Sequence, residues 1–303
     1  MTERGIALGQ ELGLGPAERD ALVARARDAG YSSAWTNARE TREPFDACAR
    51  WTRGRMTAGI SVVPLDAWDI SALGRVAAET ARTATGFVLG VGSGRAGRGA
   101  LELVRAGVAA LRREAPGIPI YIGALGPRML RLAGEVADGA ALNWCDSERV
   151  AWSRDRVAEG ARGAGRDPKA VRVVEYIRVC VDDDPEAARV ALAVAMLGYA
   201  LAGPRRPKDS GYRIHFTRMG FDEVLTDLEA RRERGEPLEA LAADVPAELV
   251  GKVGAFGRPA EAAASFARLG EGLDLPIVRV VAARDPQTSA RAVIDACAPG
   301  GTR

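Results

Sequence analysis

Eight short apolar runs, each followed by a segment of helical periodicity, set the narrowest limit on what this chain can fold into. The runs lie at 5–9, 32–36, 56–63, 87–91, 118–122, 140–144, 171–181 and 277–282. Helical segments are read at 16–29, 44–52, 68–82, 99–114, 147–163, 185–198 and 286–297, and another from Pro127 to the Asp138-Gly139 pair. Alternating strands and helices specify a parallel sheet. Eight repeats in 303 residues, with no second run of strands, fit one closed (β/α)8 barrel domain spanning 1–303. Only 204–257 breaks the rhythm, with helical pieces at 216–234, 238–243 and 246–255. It reads as a helical insertion before strand eight, at the active-site end.

Composition removes several function classes. A net charge of +2, spread along the chain, argues against nucleic acid or an anionic membrane as partner. The cysteines Cys48, Cys145, Cys180 and Cys297 are scattered, with no C-x-x-C, and read as buried reduced thiols. No run is long and apolar enough for a signal peptide or a membrane span, so the expectation is a soluble cytoplasmic protein. His215 is the one histidine, and it reads as a packing or surface residue. There is no G-x-S-x-G elbow, and the Cys and His clustering of a zinc site is missing, so no metal is expected.

Barrel chemistry sits at the C-terminal strand ends. Those ends carry Gln10, Glu11, Asn37, Ala38, Arg39, residues 61–64, 92–95 and 123–126, Asn143 and Trp144. The most informative stretch is PIYIGALGPRMLRLAGEVADGAALNW at 119–144. A strand runs into Gly123, Ala124, Leu125 and Gly126, and Pro127 takes the first helical position, where its missing N–H costs nothing. A helix N-terminus carries free N–H groups and about half a positive charge, so a glycine turn there is a seat for phosphate. Residues 92–97, GSGRAG, mimic the dinucleotide fingerprint. The acid roughly 20 residues on at a strand end is missing, and three strand–helix units precede the match. A mouth rich in small residues and poor in acid–base groups suits a bound cofactor.

The chain resembles the luciferase-like flavin and deazaflavin oxidoreductases, and within them the branch using coenzyme F420, which includes methylenetetrahydromethanopterin reductase. The resemblance rests on GISVVPLD at 59–66, GFVLGVGSG at 86–94, residues 119–144, and RIHFTRMGFDEVL at 213–225. It implies a luciferase-like barrel with cofactor phosphates on Gly123, Ala124, Leu125 and Gly126, beside Pro127 and Met129. It further implies a strand-three bulge, often with a non-proline cis bond, against the back of the deazaflavin ring. The matching bond is Ser61–Val62 or its neighbour Gly59–Ile60. Ser61, Val62, Gly92, Gly94 and Asn143 complete the implied cofactor contacts.

Two departures stand out. The acid–histidine pair that often ends strand two is here Ala38-Arg39, and the glutamate of the sugar-phosphate branch after strand four is here Arg95. Both count against a histidine-based sugar oxidation. Glu11 matches the glutamate after strand one in the methanopterin-type reductases and is the candidate proton relay. Arg39 is the second candidate catalytic residue, and it and Arg95 could bind an anionic substrate or the coenzyme's polyglutamate tail. The implied activity is hydride transfer from reduced coenzyme F420 to a C=C or C=N bond of a small molecule or natural product, in a homodimer. The alternatives are an FMN-dependent monooxygenase on the same barrel, or a cofactor-binding barrel without turnover.

Overall fold

The computed structural model describes residues 3–38, 40–52, 56–84, 86–203, 207–209 and 211–300. Strands β1 (Gly5–Ala7), β2 (Ser33–Thr36), β3 (Thr57–Pro64), β4 (Phe87–Gly92), β5 (Ile120–Gly123), β6 (Gly139–Asn143), β7 (Arg172–Val181) and β9 (Leu275–Val280) form a parallel ring. β9 closes it by pairing with both β7 and β1. Helices α1 (Pro16–Asp28), α2 (Glu43–Trp51), α3 (Ile70–Thr83), α4 (Ala100–Glu114), α5 (Pro127–Val136), α6 (Ser147–Gly163), α7 (Pro185–Ala200) and α13 (Pro286–Ala296) follow the ring strands in order. This is the closed (β/α)8 barrel that the sequence pattern specifies.

Local chemistry sets the helix starts. Proline stands in the first turn of α1, α2, α5, α7 and α13. Asp69, Asp146, Asp184 and Asp285 cap α3, α6, α7 and α13 through their carboxylates. The cap of α6 is thus Asp146, one residue before Ser147, because its carboxylate accepts the Arg149 N–H at 2.7 Å.

The segment before the last ring strand departs from the sequence reading. The piece expected at 216–234 is two helices, α8 (Gly211–Thr217) and α9 (Asp222–Glu233), separated at Gly220, whose φ is 89°. After α10 (Leu238–Ala243), helix α11 (Ala247–Val253) stops early and β8 (Gly254–Gly257) pairs with the C-terminal end of β7, outside the ring. Four residues are too few to show a strand period. Helix α12 (Pro259–Leu269) also went unread, although Pro259 and Glu261 carry start signals.

Two apolar layers hold the barrel. Ala7, Trp35, Val88, Tyr121, Val174, Tyr176 and Ile277 fill its interior, and the larger layer lies between strands and helices. Trp35 stacks on Tyr121 at 6.2 Å, and a Cβ at Gly59 would lie 2.3 Å from the Trp35 ring. A separate core under α7–α11 packs Leu192, Phe216, Phe221 and Leu225 against Trp144. α5 and α6 touch backbone to backbone: a Cβ at Gly160 would lie 2.0 Å from the Arg131 carbonyl oxygen, whereas one at Gly163 would meet nothing within 4 Å. Gly160→Ala is expected to destabilise the fold by about 1–3 kcal/mol, as overpacking does. Gly163→Ala is expected to be neutral or stabilising, and urea titration of the two variants checks the contrast.

Candidate active site

The strand ends enclose a cavity of about 570 Å³ at the barrel mouth. It is bounded by the ends of β2 to β7 and β9, by Tyr199 on α7, and by Gly211 and Tyr212 at the start of α8.

One wall is made by β5 and α5. Ala124 N–H donates to Ala141 O at 3.1 Å, and Arg149 donates through Nη2 to Leu125 O at 2.7 Å, which fixes the turn. Gly126 is the extended N-cap of α5, with φ −95° and no side-chain cap bond. A Cβ there would meet nothing within 4 Å, and no acid stands in the first turn of α5. The helix end therefore offers free space and favourable potential to an anion, and the turn fits a cofactor phosphate. The glycine turn after β4 is different. Asp66 accepts the Arg95 N–H at 2.7 Å, so a carboxylate already occupies that turn.

The adjoining wall is the β3 bulge. Its register with β4 slips between Ile60 and Val63, and the Ser61–Val62 peptide bond is cis. Val62 faces the mouth so closely that a Cβ at Gly92 or Gly123 would lie 3.0 or 3.1 Å from its methyl groups.

Opposite these lies a wall that the sequence reading missed. Arg178 on β7 is only 5% exposed. It donates to Asn143 Oδ1 and lies 4.1 Å over the Trp144 ring and 5.0 Å from Tyr199. Asn143 donates in turn to the Tyr212 hydroxyl at 2.6 Å. Burial pushes the Tyr212 hydroxyl up to about 12, so it keeps its proton. Arg279 on β9 is also buried, donates to Glu11 Oε1 at 2.5 Å, and lies 5.1 Å from Tyr176. Burial opposes a charge on Glu11, but the Arg279 guanidinium prevails and holds the carboxyl below its usual range.

Ser61, Val62, Gly92, Gly94, Gly123, Ala124, Leu125, Gly126, Met129 and Asn143 all border this cavity. Pro127 opens α5 just behind it, and Glu11 reaches it through Arg279. Arg39 lies outside the described residues. Arg95 is exposed and does not line the cavity.

Beneath the rim, the turn after β6 is held by buried polar groups. Trp144 has φ 56°, rare for a bulky residue. His215 is buried and donates through Nε2 to Trp144 O at 2.8 Å, so it is a packing residue. Glu175 accepts the Cys145 N–H at 2.7 Å, and its second oxygen has no partner. Burial pushes the Glu175 carboxyl up to about 8 and His215 down to about 4.

Against this geometry the comparisons are informative. The family model described as luciferase-like monooxygenase matches residues 97–274. The chain belongs to the luciferase-like monooxygenase family. Among curated relatives, 5,10-methylenetetrahydromethanopterin reductase of Methanolobus tindarius is 29% identical over 182 residues, 60% of this chain and 52% of the relative. The chain thus spans about half the length of that relative. The solved coenzyme F420 dependent tetrahydromethanopterin reductase from Methanopyrus kandleri superposes with TM-score 0.76, 16% identity and 99% coverage of both chains. An F420-dependent secondary alcohol dehydrogenase with an F420-acetone adduct gives 0.70 at 14% identity, over 96% of this chain and 99% of that one. At such identities the structures establish the shared fold. Among the described residues, no helix of this luciferase-like chain is long and apolar enough to cross a membrane.

The buried carboxyl generates a pH test. Burial raises the folded Glu175 carboxyl from the ordinary 4.5 to about 8, so the folded state binds the extra proton between them. Its contribution is fully present below about pH 4.5 and is lost as pH rises towards 8, by at most about 1.4 kcal/mol per pH unit. His215 has the opposite slope, losing stability as pH falls from 6.5 to about 4. Glu175→Gln is expected to melt above the wild type at pH 8 and to lose that advantage by pH 5. Melting curves across this range check it.

Proposed function

We propose that the chain is an oxidoreductase that transfers a hydride from reduced coenzyme F420 to a C=C or C=N bond of an organic acceptor. One observation carries the reading: a single cavity joins the α5 N-terminus at 123–126, which has no side-chain cap bond, to the Val62 bulge, in a chain whose relatives include F420-dependent enzymes. Gly123, Ala124, Leu125, Gly126 and Met129 would hold the phosphate end, and Val62 would support the ring from behind. When bound, the coenzyme supplies two electrons as hydride.

The protein's own groups do the rest. The Arg279–Glu11 pair fixes an ionised carboxylate at the rim, which can orient a water for proton delivery but holds no proton of its own. Tyr176, Tyr199 and Tyr212 narrow the mouth and exclude bulk water. The alternative is FMN with oxygen chemistry, since FMN also offers a tricyclic ring and a phosphate to the same seat.

Titration of the purified chain with each cofactor tests the proposal. Coenzyme F420 is expected to bind with the lower Kd, and its reduced form to be consumed anaerobically once a suitable acceptor is supplied. Gly126→Asp puts a fixed negative charge at the seat. It should weaken coenzyme binding about tenfold or more while leaving Tm unchanged or slightly raised, because an Asp at this N-cap can accept from the first-turn N–H groups of α5. Tight FMN binding with oxygen-dependent turnover and no F420 affinity would overturn the assignment.

A second expectation concerns Glu11. Glu11→Gln keeps the shape and removes the charge that orients water. Turnover should fall by about 10²-fold, the lower end for lost acid–base assistance, with coenzyme Kd changed less than threefold. Unchanged steady-state turnover would take Glu11 out of the proton path.

A further inference from the structure

The far wall of the cavity carries more positive charge than the protein neutralises. Arg178 and Arg279 are register partners on neighbouring strands, and both line the cavity. No Asp or Glu lines it, and Glu11 is committed to Arg279. The hydrogen-bond and ring partners of Arg178 are all neutral, Asn143 Oδ1, the Tyr176 carbonyl and the faces of Trp144 and Tyr199, and the Glu11 charge acts on it only from its place on Arg279. Among the described residues no carboxylate forms an ion pair with it, and none of the remaining residues is Asp or Glu. The buried Nη1 of Arg279 has no hydrogen-bond partner at all. A buried cation without a counter-ion is costly and would be replaced by an apolar residue if packing were its only role. A guanidinium fork beside planar aromatic faces is instead matched to a carboxylate on a flat, unsaturated frame.

Position separates this anion from the coenzyme phosphate. The anion seat is on β5 and the bulge on β3, whereas β7 stands four strands from β3 either way round the ring. A ring backed by Val62 would leave its other face to the side of the mouth where β7 carries Arg178. We infer that the hydride acceptor carries a carboxylate, and that Arg178, with Arg279 beside it, is the pair that recognises it. The inference rests on the proposed function for which face the acceptor occupies.

The test compares trans-cinnamate with cinnamamide, which has the same shape without the charge. Both are titrated into the purified full chain, with and without coenzyme F420. Wild-type chain should bind cinnamate at least tenfold more tightly, and only cinnamate should raise Tm. Arg178→Met should bring the two dissociation constants within twofold, and Arg178→Lys should keep part of the preference. Coenzyme affinity should stay within threefold in both variants. Equal binding of the two probes by the wild type overturns the inference, and this comparison needs no variant to fold. So does a tenfold loss of coenzyme affinity in Arg178→Met with the cinnamate preference intact, since the anion would then belong to the coenzyme. A chain that binds no F420 yet prefers cinnamate through Arg178 sinks the deazaflavin reading and upholds the anion site.

Discussion

Closure of the ring by β9 is the constraint on which the site depends. Only when β9 lies between β7 and β1 do Arg178, Arg279 and Glu11 meet, although Glu11 and Arg279 are 268 residues apart in sequence. That closure sets two guanidiniums side by side on one face of the sheet, an arrangement that ordinarily destabilises a strand pair. A single carboxylate and the faces of Trp144, Tyr176 and Tyr199 offset part of the repulsion. Both guanidiniums belong to residues that line the cavity. The stability lost there is of the kind that binding sites carry.

The mouth is electrostatically divided. On the β3–β5 side, donors come from backbone at a helix end, and glycines keep side chains out of the way. A backbone seat of this kind holds phosphate with little regard to what the phosphate carries, so it does not separate a deazaflavin from FMN. On the β7–β9 side, recognition rests on long side chains whose charge and planarity select among ligands. The turn after β6 joins the two sides through Asn143 and Trp144, and Trp144 packs into the core under α7–α11.

The half built from backbone was legible in the sequence, because glycine and proline advertise backbone geometry. Gly123, Gly126 and Pro127 mark the turn and the helix start, and the repeated apolar runs mark the ring strands. The half built from side chains was harder to see, although it left a signal. In β7 the run Val174, Tyr176, Arg178 and in β9 the run Leu275, Ile277, Arg279 keep a strict period of two. An arginine continuing the inward face of an otherwise apolar strand has to face a partner or a ligand. Reading only the turns after the strands passed over residues that sit within them. The extra strand Gly254–Gly257 failed for a different reason: four residues carry no periodicity, and the edge of β7 that recruits them is a tertiary feature.

The segment from α7 to α11 gives this division a structural logic. Its core of Leu192, Phe216, Phe221 and Leu225 packs on Trp144 and leaves the β5–α5 turn untouched. It delivers Tyr199 and Tyr212 to the mouth, with ring centroids 4.8 Å apart, edge to face. Through Asn143 and Trp144 those rings set the position of Arg178. A substitution within this segment can therefore reshape the acceptor side while the helix-terminus seat keeps its geometry. Under the proposed function, the repeating β–α units would place the coenzyme, and the one interruption of the repeat would decide what faces it.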